Sequence, residues 1–129
     1  MTESKLREKM CMFASSMFDR GLTHGSTGNI SVRLNNDDIL VTPSGSSFGR
    51  LDPNQIVKVT KDGKLIGNST PTKELPLHQA FYETRGMKSG AVVHLHSTHS
   101  VALSMLPDVN EDNILPSFTF GSIASNRSI

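Results

Sequence analysis

Residues 90–100 read GAVVHLHSTHS, an apolar stretch that carries three histidines. The apolar residues predict a buried strand, along which side chains alternate between the two faces. Val92, His94 and His96 are therefore expected to share one face, and the residues between them the other. Two imidazoles side by side form either a packed polar pair or two of the three protein ligands that a catalytic zinc usually has.

The segments around this strand alternate between helical and extended patterns. The predicted elements are a helix over 3–20, hairpins over 30–43 and 56–67, a helix over 70–85, the histidine strand, and a helix over 98–106. Thr72 is the predicted N-cap of the second helix, and His78 with Phe81 or Tyr82 lies along one side of it. This order predicts an α/β domain with a mixed sheet and flanking helices.

Length and composition restrict the classes of protein to which the chain can belong. The 129 residues suffice for one domain, and a net charge of +1 without a basic run gives no electrostatic footprint for nucleic acid. No stretch approaches the roughly 20 apolar residues of a membrane span, and the N-terminus lacks the apolar core of a signal peptide. Cys11 is the single cysteine, so an internal disulfide is excluded. We therefore expect a cytoplasmic protein without membrane or nucleic-acid partners.

Glu74 and His78 are candidate site residues on the second helix. Glu74 near the helix start is either a carboxylate that is stabilised by the helix dipole or a reactive group. His78, one turn later, is either a core-facing histidine or a neighbour of the same site. His99 lies beyond the end of the histidine strand, and the sequence does not indicate its direction.

Three loops carry small hydroxyl residues, glycines or a cation. They are GSTGN at 25–29, TPSG at 42–45 and TPTK at 70–73. Such loops are either ordinary turns or, near a helix N-terminus, suited to holding a phosphate.

The order of four motifs resembles that of the class II aldolase/adducin family, which contains zinc-dependent sugar-phosphate aldolases. The motifs are STGNIS at 26–31, VTPSG at 41–45, TPTKELPLH at 70–78 and AVVHLHSTHS at 91–100. The resemblance extends over residues 5–116. Within the family the motifs are most similar to those of the 3-oxo-tetronate 4-phosphate decarboxylases.

The resemblance implies a role for each matching residue. His94 and His96 match two of the three zinc-binding histidines, and Glu74 matches the acid/base carboxylate. The positions that hold the substrate phosphate are matched by Gly28, Asn29, Ser44, Gly45, Thr72 and Lys73. Of these, Gly28 shapes its loop and Lys73 replaces a small hydroxyl residue of the fuculose-phosphate aldolases.

The resemblance also implies a function. It is that of a carbon–carbon lyase with one Zn²⁺ per subunit, which decarboxylates a small phosphorylated sugar acid through a metal-stabilised enediolate, in a homotetramer. Alternatives are a sugar-phosphate aldolase or epimerase of the same family, a non-catalytic adducin-like interaction domain, and an inactive fragment.

One departure from the family concerns the third zinc histidine, which lies well downstream in its members. No histidine follows His99 in this sequence. We therefore expect an incomplete class II aldolase-like domain over residues 1–116, its N-terminal part only, followed by a divergent and poorly ordered tail over 117–129. On this expectation the chain is truncated at its C-terminus.

Overall fold

The structure, a computed structural model, describes residues 1–107 and divides the chain into two units. The first unit, Met1–His96, contains the helices α1 (Glu3–Asp19) and α2 (Leu75–Arg85) and the strands β1 (Asn29–Arg33), β2 (Ile39–Val41), β3 (Val57–Val59), β4 (Leu65–Ile66) and β5 (Ala91–His94). The second unit begins at Ser97 and contains the helix α3 (Thr98–Ser104). These elements confirm the predicted helices and hairpins. The predictions for 117–129, and for a boundary at 116, lie outside the described residues.

The strands form one sheet in the order β4-β3-β2-β1-β5. The predicted combination of a sheet with flanking helices is confirmed. In one respect the described part differs from the mixed sheet that was predicted, because its four pairings are all antiparallel. Consecutive strands from β1 to β4 pair as neighbours. The connection through α2 then places β5 antiparallel to β1, on the side of β1 opposite to β2.

Side-chain alternation divides the core between the two faces of the sheet. On one face Ile30 and Leu40 pack with Met10 and Ala14 of α1. On the other face the inward residues of β2 and β3, which are Ile39, Val41, Val57 and Val59, pack with Tyr82 of α2. Tyr82 is 3% exposed and Phe81 is 41% exposed, so the tyrosine is the aromatic residue that faces the sheet.

The predicted N-cap of α2 is wrong by two residues, because Glu74 occupies the N-cap position. Pro71 pairs with Pro43 in an isolated bridge, and the Thr72 N–H donates to the Thr42 carbonyl at 3.0 Å. Residues 73–74 beyond this pairing form a turn, so the helical residues begin at Leu75.

No helix within residues 1–107 is both long enough and apolar enough to cross a membrane.

Candidate active site

Three loops and the segment after β5 enclose a cleft of about 330 Å³ in the first unit. The loops precede β1, follow β2 and precede α2. The predicted site residues among its walls are Gly28, Asn29, Ser44, Gly45, Thr72, Lys73, Glu74 and His96. The structure thus brings into one cleft residues that the sequence separates by up to 68 positions, from Gly28 to His96.

Backbone pairing fixes the loops after β2 and before α2 against each other. The Ser44 N–H donates to the Thr70 carbonyl at 2.9 Å, beside the Pro43–Pro71 bridge. The Thr72 hydroxyl accepts a hydrogen bond from the Glu74 N–H at 3.3 Å. These bonds place the small hydroxyl residues of both loops next to the start of α2, while the exposed Lys73 adds a cation to the wall.

Gly28 permits the close approach of the first loop to the end of β5. Its φ of +84° lies in the region that favours glycine, and an added Cβ would lie 3.2 Å from the His94 carbonyl oxygen. The same Cβ would lie 3.1 Å from Thr23 Oγ1. A side chain at this position would therefore separate the loop from the histidine strand.

His94 and His96 lie together at the end of the sheet, although the strand ends at His94. Their ring centroids are 4.9 Å apart with 31° between the planes. The expected alternation along this segment is confirmed, because Val92 packs against the α2-side cluster and Leu95 against the α1-side cluster. His96 continues the direction of His94 without strand hydrogen bonding.

Glu74 lies beside this histidine pair. Its Oε2 atom is 4.0 Å from His94 Nδ1, too far for a hydrogen bond. His94 Nδ1 is buried and has no hydrogen-bond partner in the described part of the chain. Because a buried polar atom normally has a partner, this nitrogen is a candidate ligand atom.

The donor atoms of His94, His96 and Glu74 suit zinc, which binds imidazole nitrogen and carboxylate oxygen. Within residues 1–107, however, no three His, Cys, Asp or Glu side chains lie close enough to hold a metal ion. The histidine pair therefore fits as part of a zinc ligand set and does not form a complete set by itself.

Behind the cleft lies a buried hydrogen-bond chain. His78 is fully buried, and its Nε2 atom is bonded to Asn29 Oδ1. Its Nδ1 atom is 2.6 Å from Ser31 Oγ, which is 2.8 Å from the Tyr82 hydroxyl. Burial, with a smaller contribution from His94, lowers the pKa of His78 to about 4, so this histidine is neutral at pH 7.

Ser31, which joins His78 to Tyr82 in this series of hydrogen bonds, is not among the residues predicted for the site. One signal was present, since Ser31 is a polar residue between Ile30 and Val32 on a short central strand. The four-residue spacing of His78 and Tyr82, which places both on one side of α2, was a second signal.

Comparisons of the sequence with known proteins identify a family and several relatives. The family model described as Class II Aldolase and Adducin N-terminal domain matches residues 8–126. A 3-oxo-tetronate 4-phosphate decarboxylase from Cupriavidus necator is 45% identical over 118 residues, which are 92% of this chain and 54% of the relative. An L-fuculose phosphate aldolase from Haemophilus influenzae is 37% identical over 106 residues, which are 82% of this chain and 48% of the relative.

Solved structures show the same likeness. The crystal structure of YgbL from Escherichia coli matches with a TM-score of 0.81 at 43% identity, covering 91% of this chain and 56% of that chain. This match confirms the predicted class II aldolase-like fold. The chain spans about half the length of the curated relatives it matches.

The predicted family resemblance is confirmed by the family model over nearly the whole chain, by the identity to relatives and by the shared fold. The chain belongs to the class II aldolase and adducin family.

Proposed function

We propose that this chain forms part of a zinc-dependent carbon–carbon lyase that decarboxylates a 3-oxo-tetronate 4-phosphate. The observation that carries the proposal is the cleft in which hydroxyl groups, a lysine, a carboxyl group and an imidazole converge. Relatives named as a decarboxylase and as a sugar-phosphate aldolase support the same class of chemistry.

The phosphate end of the cleft is formed by the loops at 26–29, 43–46 and 72–73. Ser44 and Thr72 offer hydroxyl donors, and Lys73 offers a cation next to the N-terminus of an 11-residue helix. Hydrogen bonds from charged donors and the positive end of a helix both favour a phosphate dianion. Binding the phosphate here fixes the substrate with its reacting carbons directed toward the histidine pair.

The reactive end is formed by Glu74, His94 and His96. His94 and His96 would hold the zinc ion, which supplies Lewis-acid stabilisation of negative charge on substrate oxygen atoms when it is bound. The substrate carbon that loses CO₂ needs a proton, and the Glu74 carboxyl group delivers it. Proton transfer by a positioned group is worth about 10²–10⁴-fold in rate.

An aldol cleavage or an epimerisation in the same cleft is the second candidate. The 37% identity to an L-fuculose phosphate aldolase favours it. The histidine pair with Glu74 argues against a non-catalytic adducin-like domain. Inactivity of the chain by itself is the third candidate, because no complete metal-ligand set lies within residues 1–107.

Two measurements test the proposal. In the first, the chain is titrated with inorganic phosphate and then with a 3-oxo-tetronate 4-phosphate in the presence of zinc. We expect Lys73→Ala to weaken phosphate binding about tenfold, while Lys88→Ala, an exposed lysine outside the cleft, leaves it unchanged. Equal binding by Lys73→Ala and the unaltered chain would contradict the phosphate site.

The second measurement identifies the reaction. The zinc-loaded chain is incubated with a 3-oxo-tetronate 4-phosphate, and with L-fuculose phosphate in a parallel sample. Release of CO₂ from the first supports the decarboxylase, and release of an aldehyde from the second supports the aldolase. Absence of both products would favour the inactive fragment.

The homotetramer and the cytoplasmic location belong to the same proposal. Exposed apolar side chains on α1, among them Met12 and Phe13, favour association in water. Sedimentation of the purified chain gives its state of association directly.

A further inference from the structure

The hydrogen-bond chain from Tyr82 through Ser31 and His78 to Asn29 connects α2 and β1 to the cleft. All four side chains are buried, with exposures between 0% and 6%. Asn29 is the member that also lines the cleft. The orientation of its amide group therefore decides whether the cleft receives a hydrogen-bond donor or an acceptor.

The number of hydrogens on the four side chains determines which of them donates in each hydrogen bond. Burial raises the pKa of Tyr82, so its hydroxyl keeps its proton at neutral pH. Ser31 Oγ is the hydrogen-bond acceptor within reach of this hydroxyl among the described residues, since the nearby backbone N–H of Val92 can only donate. The Tyr82 hydroxyl therefore donates to Ser31. The Ser31 hydroxyl then donates to His78 Nδ1, and the remaining imidazole proton, on Nε2, is donated to Asn29 Oδ1.

The opposite direction leaves a buried hydrogen without an acceptor. If His78 Nδ1 carried the proton, it would donate to Ser31, and Ser31 would donate to Tyr82. The Tyr82 hydroxyl hydrogen would then have no acceptor within residues 1–107. A buried donor without an acceptor destabilises the folded protein, which favours the first direction.

We infer that His78 is a positioning residue, which Ser31 and Tyr82 hold with its proton on Nε2 and which thereby turns the amide NH₂ of Asn29 toward the cleft as a donor for an anionic group. The inference rests on the proposed function in one respect, namely that the cleft binds a phosphate. Because Asn29 Oδ1 is occupied by His78, the NH₂ group is the part of the amide that remains for a ligand.

Two variants of His78 separate positioning from a purely structural role. Glutamine places its amide nitrogen near the position of Nε2 and can still donate to Asn29, whereas asparagine is one carbon shorter and cannot reach it. Both variants disturb the same buried position. The probe is inorganic phosphate, titrated into the full 129-residue chain at a temperature at which all variants are folded.

We expect His78→Asn to lower phosphate affinity about tenfold and His78→Gln to lower it less than about threefold, because one hydrogen bond to a charged group is at stake. The Asn29 side-chain NH₂ resonances should shift on adding phosphate in the unaltered chain and in His78→Gln. In His78→Asn they should not shift. Equal affinity in both variants, or affinity that follows thermal stability alone, would overturn the inference.

The tautomer of His78 is measured in the unaltered chain, so this test does not require any variant to fold. Long-range ¹H–¹⁵N correlations of the imidazole should show the proton on Nε2. A proton on Nδ1 would reverse the chain of bonds and overturn the inference.

Lys73→Ala distinguishes this inference from the proposed function. If the unaltered chain binds phosphate and Lys73→Ala weakens binding while His78→Asn does not, only the positioning role fails. If the unaltered chain binds no phosphate, the proposed phosphate site fails and the inference fails with it.

Discussion

The Nδ1 atom of His94 lies 4.0 Å from Oε2 of Glu74, and it is buried without a hydrogen-bond partner within the described chain. The two residues come from different elements, because His94 ends β5 and Glu74 precedes the first turn of α2. The metal predictions depend on this feature, an imidazole nitrogen without a hydrogen-bond partner that lies near a carboxyl group.

We expect His94→Ala and His96→Ala each to weaken zinc binding by at least about tenfold. The reason is that the one remaining imidazole competes poorly with water for the coordination positions of the zinc ion. Zinc content after dialysis, together with calorimetric titration, measures the effect. Lys73→Ala is the matched control, since it alters the same cleft without removing a metal donor, and it should retain zinc. Unchanged zinc content in both histidine variants would support the packed-histidine interpretation instead.

Glu74→Gln should retain zinc and lose turnover, by about 10²–10⁴-fold. The amide preserves the shape of the side chain but cannot carry and deliver the proton. The measurement needs an active protein, so the substitution is placed in this chain extended by the C-terminal half of a decarboxylase relative. Full activity would exclude the proton-transfer role, and joint loss of zinc and activity would make Glu74 a ligand.

Extension of the chain by a C-terminal segment that is chosen to carry a further histidine should increase zinc affinity and the rate of turnover together. The reason is that a catalytic zinc usually has three protein ligands, whereas the structure brings two imidazoles together with Glu74 4.0 Å from one of them, His94. Side-by-side titration and rate measurements compare the two proteins. Equal affinities and equal rates would show that the 129-residue chain already holds a complete site.

Gly28→Ala should destabilise the protein more than Gly25→Ala. Both glycines have positive φ, +84° and +57°, so both variants carry backbone strain of about 1 kcal/mol or more. Only at Gly28 does an added Cβ come within 3.1–3.3 Å of neighbouring atoms, whereas at Gly25 nothing lies within 4 Å. Urea unfolding of the two variants measures the difference, and equal losses would show that the loop moves away at no cost.

Stability should fall as the pH is lowered from about 6.5 toward 4, because of His78. Burial lowers its pKa from 6.5 to about 4 in the folded protein, while the unfolded chain recovers the ordinary value. Between these values the unfolded state binds more protons, so the stabilisation is complete above the upper value and is lost on acidification. One pKa unit corresponds to about 1.4 kcal/mol, which sets an upper limit of roughly 3 kcal/mol.

The free energy of unfolding at several pH values tests this dependence, with His78→Gln as the comparison. The lowered pKa values of Glu3 and Asp38 also reduce stability in acid, but they act equally in both proteins. The difference in slope between the two proteins therefore isolates His78. Parallel pH profiles would contradict the prediction.

Local patterns in the sequence predicted the helices, the strands and the loops between them. Apolar spacing along α1 and turn residues between the strands act over a few positions, so they are readable without coordinates. Alternation along residues 91–96 likewise predicted that the two histidines point the same way, and the rings are 4.9 Å apart. The roles assigned to Glu74, Lys73 and the histidines came from the order of the motifs and stay predictions.

The tertiary structure alone decided the start of α2 and the partners of its buried polar groups. Thr72 has the chemistry of an N-cap, but its N–H pairs with the Thr42 carbonyl, a turn follows at 73–74, and the helix begins at Leu75. The bonds from His78 to Ser31 and to Asn29 join residues 47 and 49 positions apart, so no local pattern contains them. The environment that lowers the pKa of His78 likewise exists only when α2 packs on the sheet, since burial of a polar group is a property of the assembled core.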